Sequence, residues 1–335
     1  MRRRILIVTL IVLHTAILLA GFIAPYDPAN QNRAFAYAPP THVHFHDSAG
    51  FHSRPFVFAY GGDLNGYRET PSGRCPIHFF SHGDSYKLLG LFKTDLHLFG
   101  VPTPGHIFIL GTDAYGRDEF SRLLYGGQIS LAAGLLATLI TLTMAACVGT
   151  ISGYFGKWTD ESLMGMAELF VCLPWFYFLV AVRAFLPLHL SPSSAFLLII
   201  CVIGAIGWAR PARLVRGIVL SARNRDYVLA ARGFGASDFY LLRRHIAPEA
   251  VGVLLTQAAL LVPQFVAAES VLSFFGLGIG EPVPSWGNML SRLQQYNVMV
   301  SYYWLLSPAC MLVVTSVIYW LLADALHHWV KSHSI

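Results

Sequence analysis

Apolar residues along this chain gather into six runs, at residues 5–24, 129–153, 163–186, 195–219, 249–275 and 304–328. About 20 helical residues cross the roughly 30 Å of a bilayer's hydrocarbon core, so each run is long enough to span it. The pattern predicts an all-α integral membrane protein with six transmembrane helices. An even number of crossings returns both ends of the chain to one side. If the amino terminus is cytoplasmic, the inner segments hold Arg2, Arg3, Arg4, Lys157, Arg210, Arg213, Arg216, Arg223, Arg225, Arg232, Arg243, Arg244 and Lys331. The short outer loops, 187–194 and 276–303, hold only Arg292. Basic residues favour the cytoplasmic side of short loops, and a long first loop is largely exempt, so both termini are expected in the cytoplasm. The first run is read as an uncleaved anchor, because Phe22 ahead of Ile23-Ala24 spoils the small-residue pattern of a cleavage site.

Two stretches between the runs have organisation of their own. Residues 25–110, between the first and second helices, carry short aromatic and β-branched runs such as Phe56-Val57-Phe58 and Ile77-His78-Phe79-Phe80, punctuated by Gly, Pro and Asn. They predict a small β-rich extracytoplasmic insert, with a hairpin turn at Asn65-Gly66. Residues 220–247 are too polar to cross and predict two short helices. The first runs through Asp226–Arg232 and stops by Gly235, and the second is capped by Ser237 with Asp238 at its positive end. The domain division is therefore an anchor helix at 1–24, an insert at 25–110 and a transmembrane domain at 111–335, with 220–247 as a cytoplasmic loop.

Composition agrees with lipid as the solvent. Of the 335 residues, 55% are hydrophobic and 12% charged, too little polar surface for a soluble globule of this length. The net charge of +5 lies beside apolar runs rather than on a folded basic face, which argues against nucleic acid as a partner. Cys147, Cys172, Cys201 and Cys310 sit in apolar stretches as small hydrophobes, and Cys75 lacks an obvious partner. With no CxxC and no Cys/His pair at zinc spacing, neither a disulfide framework nor a structural metal is expected. No GxxxxGK[ST] occurs; Gly156-Lys157-Trp158 is the nearest approach and lacks the glycine spacing and the hydroxyl. GxSxG and HExxH are absent too, so the expectation is no catalytic residue, no cofactor and no ATPase site in this chain.

Three separated motifs carry a resemblance. The polar loop reads Leu229-Ala230-Ala231-Arg232-Gly233-Phe234-Gly235 and continues to His245-Ile246-Ala247-Pro248. It resembles the Glu-Ala-Ala-x-x-x-Gly hallmark of the permease subunits of ATP-binding-cassette importers. Gly111-Thr112-Asp113, Gly116-Arg117-Asp118 and Ser121-Arg122-Leu123-Leu124-Tyr125-Gly126 look like one branch of that family, the C-type subunit of the dipeptide, oligopeptide and nickel permeases. So do Leu272-Ser273-Phe274-Phe275-Gly276-Leu277-Gly278 and Pro284-Ser285-Trp286-Gly287-Asn288-Met289-Leu290. The match runs through about residues 105–330.

The resemblance implies a permease subunit of the bacterial cytoplasmic (inner) membrane. Its implied partners are a second homologous permease subunit, two ATP-binding-cassette ATPase subunits, an extracytoplasmic substrate-binding protein and membrane lipid. Peptides, di- or oligopeptides, are the implied cargo, with nickel or another small solute as the alternative. An ion-coupled secondary transporter is a further alternative, but it should show an internal inverted repeat, and none is legible. ATPase coupling is implied for Tyr227, Leu229, Ala230, Ala231, Arg232 and Gly235; the alternative is a solvated amphipathic connector. Leu229 stands where the family usually has glutamate and Ala247 where leucine is common, so docking here would lean on shape.

Ionisable and amide side chains within the runs complete the candidates. Glu168 and Glu269 are either functional carboxylates or packing groups paired with arginine or backbone. Gln257 and Gln264, seven residues apart, share a helical face that could line a translocation path with Glu269, or could serve as interhelical hydrogen-bond glue. Pro263 between them predicts a kink. His42, His44, His46, His52, His78, His82, His97 and His106 invite a nickel or zinc site, but alternating histidines in a proline-rich loop are read as solvated residues. Trp286 and its neighbours are read as a structural element of the outer face.

Overall fold

The computed structural model describes all residues except 1, 48–49, 64–65, 89, 186–191 and 334–335. The chain divides into two compact units, one of Met1–Leu10, Leu131–Leu272 and Val313–Ile335, the other of Ile11–Ser130 and Ser273–Leu312.

In chain order, α1 (Arg2–Leu18) and the single turn α2 (Ala20–Ile23) come first. Five strands follow, β1 (His44–Asp47), β2 (Gly50–Asp63), β3 (Gly66–Pro76), β4 (His78–Leu88) and β5 (Phe92–Gly100). The rest is helical: α3 (Glu119–Phe155), α4 (Lys157–Cys172), α5 (Trp175–Phe185), α6 (Pro192–Gly207), α7 (Ala209–Ala222), α8 (Asp226–Gly233), α9 (Asp238–Leu241), α10 (Val251–Phe274), α11 (Trp286–Leu290), α12 (Tyr296–Ser301) and α13 (Ser307–His333).

The strands form two antiparallel sheets, ordered β1-β2-β3 and β4-β5. The β2–β3 register jumps between Phe58, opposite Arg74, and Ala59, opposite Thr70, so residues 71–73 bulge out. The Asn65-Gly66 turn reading falls partly on residues 64–65, outside the described ones; Gly66 itself pairs with Asp63. Val57, Cys75, Ile77 and Ile107 make the buried core here, packed on by Tyr26, Phe99 and Val101. Cys75 is a buried hydrophobe whose thiol points at the Gly73 carbonyl, 3.6 Å away.

Among the described residues, three helical stretches are long and apolar enough to cross a membrane: Glu119–Phe155, Asp238–Phe274 and Tyr303–Trp329. A fourth forms if Phe196–Gly207 and Ala209–Ala222, bent by 43°, count as one span. The fourth apolar run is thus broken, and Pro211 explains where. Its nitrogen has no hydrogen for the Gly207 carbonyl and its ring crowds that carbonyl, so the helix bends at Gly207-Trp208. The third run is broken as well: α4 ends at Cys172, and Pro174 starts α5 by accepting from the Phe178 amide at 3.2 Å. In the first run the apolar helix Arg4–Leu18 is shorter than a full span.

Small residues let helices in the first unit approach. Gly149 and Gly153, one turn apart on α3, face α7, where a Cβ on either would press on the Ala212 or Arg216 carbonyl and on Val215 or Val219. Ala145, Ala167, Trp208, Ala209 and Ala212 form a second seam among α3, α4 and α7.

Candidate functional site

Within the first unit, the polar loop folds as a compact prong. Asp226 opens α8, the chain turns at Gly235 with φ 85°, and the Gly235 and Ala236 amides bond back to Arg232 and Ala231 at 3.0 and 3.1 Å. Only glycine takes that left-handed conformation without strain, which is why the helix stops there. The Ser237 hydroxyl then accepts from the Tyr240 amide and caps α9. A π turn at Leu242–Ile246 and a 3₁₀ turn at Ala247–Ala250 carry the chain into α10.

The prong is anchored by a core and by a polar clasp. Val228, Leu241, Ile246 and Ala250 are buried with Val215, Val219 and Ala222 of α7 and Tyr154 of α3. Arg232 donates to the Tyr154 hydroxyl at 2.8 Å, and that hydroxyl in turn donates to Asp238. Arg225 and Tyr227 both reach Glu249 at 2.9 Å, tying the start of α8 to the entry of α10. Arg223 donates to the Gly153 and Tyr154 carbonyls at 2.8 and 3.1 Å, closing the end of α3. Asp160 takes a bidentate pair of bonds from Arg216, both at 2.5 Å, which holds its carboxyl below the usual range.

Beside exposed charges such as Arg243 and Arg244, the prong leaves large apolar and aromatic side chains outside. Phe234 is 93% exposed, Phe239 72% and Leu229 49%, with Tyr227 and Tyr240 also exposed. Ala230 and Ala231 are small enough to leave the α8 surface low. Of the predicted coupling residues, Arg232 bonds Tyr154 while remaining exposed, and Leu229 and Tyr227 lie on the surface.

A second feature of this unit is a cavity of about 300 Å³ among α4, α5, α6, α7 and α10. Gln257 and Gln264 line it, as their seven-residue spacing on one face of α10 predicts. Glu269 does not: it is buried, 2% exposed, and engaged elsewhere in the fold. Arg210, which the path reading omitted, joins the two glutamines, and Phe170, Trp175 and Phe265 supply aromatic wall. Its trace in the sequence is the charge beside Pro211 at the helix break, with Arg213 and Arg216 following at three-residue intervals. Glu168 stands 3.6 Å from Arg213, the arginine-paired arrangement, although it is largely exposed.

The motif residues 111–126 and 276–290 meet in the second unit. Arg117 bonds Asp113 and Glu281 at 2.6 Å each, and Arg122 reaches Glu281 at 3.1 Å. Both arginines are almost wholly buried, so each guanidinium depends on those carboxylates for its solvation. Glu281 is drawn upward by burial, but the bonds from Arg117 and the charge of Arg122 outweigh that and leave its pKa lowered. Asp118 is fully buried; one oxygen accepts from the Ser121 amide and hydroxyl at 2.8 and 2.6 Å, and the other has no partner. Burial pushes its carboxyl up to about 7. Trp286 is buried with its indole donating to the Leu123 carbonyl at 3.0 Å, behind a Ser285/Asn288 capping box. The pairing of residues 113–122 with Glu281 was not legible beforehand, because the partners lie about 160 residues apart.

The insert's histidines go to separate partners. His44 pairs with Glu69, His52 with Asp47 and His82 with Asp95, and His97 sits between the Ala24 and Asp84 carbonyls. Among the described residues no three His, Cys, Asp or Glu side chains converge as a metal site.

Long apolar helices with a polar prong rooted in their ends define an integral membrane component. Residues 145–332 match the family model of the binding-protein-dependent transport system inner membrane component, and the chain belongs to that family, the permease subunits of ATP-binding-cassette importers. The dipeptide transport system permease protein DppC of Bacillus subtilis is 37% identical over 226 residues, 67% of this chain and 68% of that one. The oligopeptide transport system permease protein OppC of Haemophilus influenzae is 37% identical over 234 residues, 70% of this chain and 73% of that one. A solved structure of the MetNI methionine ABC transporter, in an inward-facing conformation, covers 63% of this chain and 95% of its own at 17% identity, with a TM-score of 0.46.

Proposed function

We propose that this chain forms half of the translocation path of an ATP-driven importer of di- or oligopeptides and carries no ATPase of its own. It crosses the inner membrane six times, through α1–α2, α3, α4–α5, α6–α7, α10 and α13, with both termini and the prong in the cytoplasm and the strand-bearing insert outside. A second, homologous permease subunit completes the path, two ATPase subunits drive it and an extracytoplasmic binding protein delivers cargo. The names borne by the relatives, dipeptide and oligopeptide permeases, support the choice of cargo.

The observation that carries the coupling is the prong's division of labour. Its inner side is locked to α3 and α7 through Tyr154, Arg232 and the buried valines, while Leu229, Phe234 and Phe239 stand exposed. An apolar surface on a polar loop is unfavourable in water and suits a partner's cleft. A rigid lever seated there would tilt the helices it joins when nucleotide draws the ATPases together, and the equilibrium shifts by the difference in affinity for the two states. With Leu229 in place of the usual acid, the seat is held by shape.

Deleting residues 227–235 is expected to abolish co-purification of the ATPase while membrane insertion persists; retained association would count against the prong as the coupling element. In vesicles holding the whole importer, uptake should stop when ATP is withheld and ion gradients are kept. Continued uptake would favour an ion-coupled transporter.

A further inference from the structure

The cavity among α4 to α7 and α10 combines few polar groups with an apolar wall. Its lining contains one cation, Arg210, two amides, Gln257 and Gln264, and otherwise apolar or aromatic side chains. Three arginines recur on α7, and two of them have acids: Arg213 has Glu168 at 3.6 Å and Arg216 has Asp160 at 2.5 Å. Arg210 has none among the described residues, nor do the Gln257 and Gln264 side chains have hydrogen-bond partners there. Arg210 is also the second residue of α7, where the aligned backbone dipoles are already positive. A guanidinium at that end of a helix gains from an anion and repels a cation.

We infer that Arg210 is the carboxylate-recognition residue of this cavity, binding the free C-terminal carboxylate of a peptide while Gln257 and Gln264 take its backbone amides. The inference rests on the peptide-path reading above and deepens it. A planar guanidinium presents paired donors that match a carboxylate, and a glutamine amide offers both donor and acceptor, the complement of a peptide bond. Phe170, Trp175, Phe265 and Leu260 leave apolar wall for varied side chains without specifying one. The volume of about 300 Å³ lies at the lower end of the roughly 300–1,000 Å³ of small-ligand sites, which suits short peptides. A divalent metal fits poorly: the lining has no His, Cys, Asp or Glu to ligate it, and Arg210 would oppose its charge.

The test uses the complete importer in vesicles, with ATP inside and binding protein outside. Uptake of trialanine is compared with uptake of its C-terminal amide, for wild type, Arg210→Gln and Arg210→Lys. The same binding protein serves every arm, so its own preference cancels when acid-to-amide ratios are compared between variants. Arg210→Gln is expected to cut the acid-over-amide preference about tenfold, the scale of one charged hydrogen bond, and Arg210→Lys to hold it within about threefold of wild type. Arg210→Met, which keeps the apolar stem, serves if the glutamine variant does not assemble. An unchanged ratio, or equal slowing of both peptides, overturns the carboxylate assignment and leaves the peptide reading standing. Equal slowing that tracks the anionic lipid content of the vesicles identifies Arg210 as a headgroup contact and overturns it too. If wild type takes up neither peptide while its ATPase turns over, the peptide reading falls and the inference with it.

Discussion

At the scale of single residues, Asp118 shows how burial and charge compete. Its carboxyl is fully enclosed, bonded on one oxygen to Ser121 and unpartnered on the other, and its pKa stands near 7 against 3.8 for the free group. A carboxyl whose folded pKa is raised binds a proton in the fold that the unfolded chain releases at lower pH. The fold therefore loses stability as pH climbs from about 4 to about 7, and the loss levels off above that. Asp118→Asn imitates the protonated shape and has nothing to ionise. Its melting temperature relative to wild type should move in the variant's favour between pH 5 and pH 8, as read by thermal unfolding in detergent. Parallel melting curves at the two pH values would show that Asp118 stays charged or unshifted in the fold. The contrast with Glu281 is instructive: it is only partly covered, and two buried arginines hold it in its charged form.

Individual helices meet where side chains have been reduced to hydrogen. The Gly149 and Gly153 face of α3 brings α7 close enough that a Cβ would collide with backbone carbonyls, and α7 in turn carries both the cavity's Arg210 and the root of the prong. Gly149→Leu is expected to force the pair apart at a cost of about 1–3 kcal/mol, the range for overpacking a filled interior. Gly165→Ala on α4 is the control, since nothing lies within 4 Å of its added carbon, and it should be neutral or slightly stabilising. Thermal unfolding in lipid nanodiscs reads both. Equal effects would mean that the α3–α7 seam is not the close contact it is taken for. The helix breaks belong to this scale too: Pro174 and Pro211 each interrupt an apolar run beside the cavity, which leaves Arg210 at the start of a helix instead of inside one.

For the molecule as a whole the question is which way it lies in the membrane. Phe234 at the prong tip and Phe92 in β5 are both strongly exposed, and the proposed orientation puts them on opposite sides. Single cysteines at these positions, in a background freed of the five native ones, should react with a membrane-impermeant maleimide at Phe234→Cys only after the inner face is opened. Phe92→Cys should react in intact right-side-out cells. The reverse pattern would invert the orientation and remove the prong from any cytoplasmic engine. Removal of Cys147, Cys172, Cys201 and Cys310 should cost little, since they are exposed on the apolar helices and unpaired, while the buried Cys75 is replaced by alanine, which keeps its core position apolar.

Hydrophobic periodicity and length by themselves determined that this chain belongs in lipid, and turn chemistry determined the prong. Asp226, Gly235 and Ser237 act within a few residues of where they stand, so the stop of α8 and the cap of α9 could be read directly. The same is true of the Gln257–Gln264 face, because helical spacing is local. What required tertiary structure were the partnerships between distant positions. Glu281 meets Arg117 and Arg122 across about 160 residues, and Tyr154 joins Arg232 to Asp238 across about 80. An apolar run reports only that a segment avoids water. Where it breaks depends on proline placement, and which of its faces meets protein rather than lipid depends on the helices beside it. Hence Glu269, a path candidate by sequence, lies engaged in the packing, and Arg210, unremarkable in the sequence, faces the cavity without an acid.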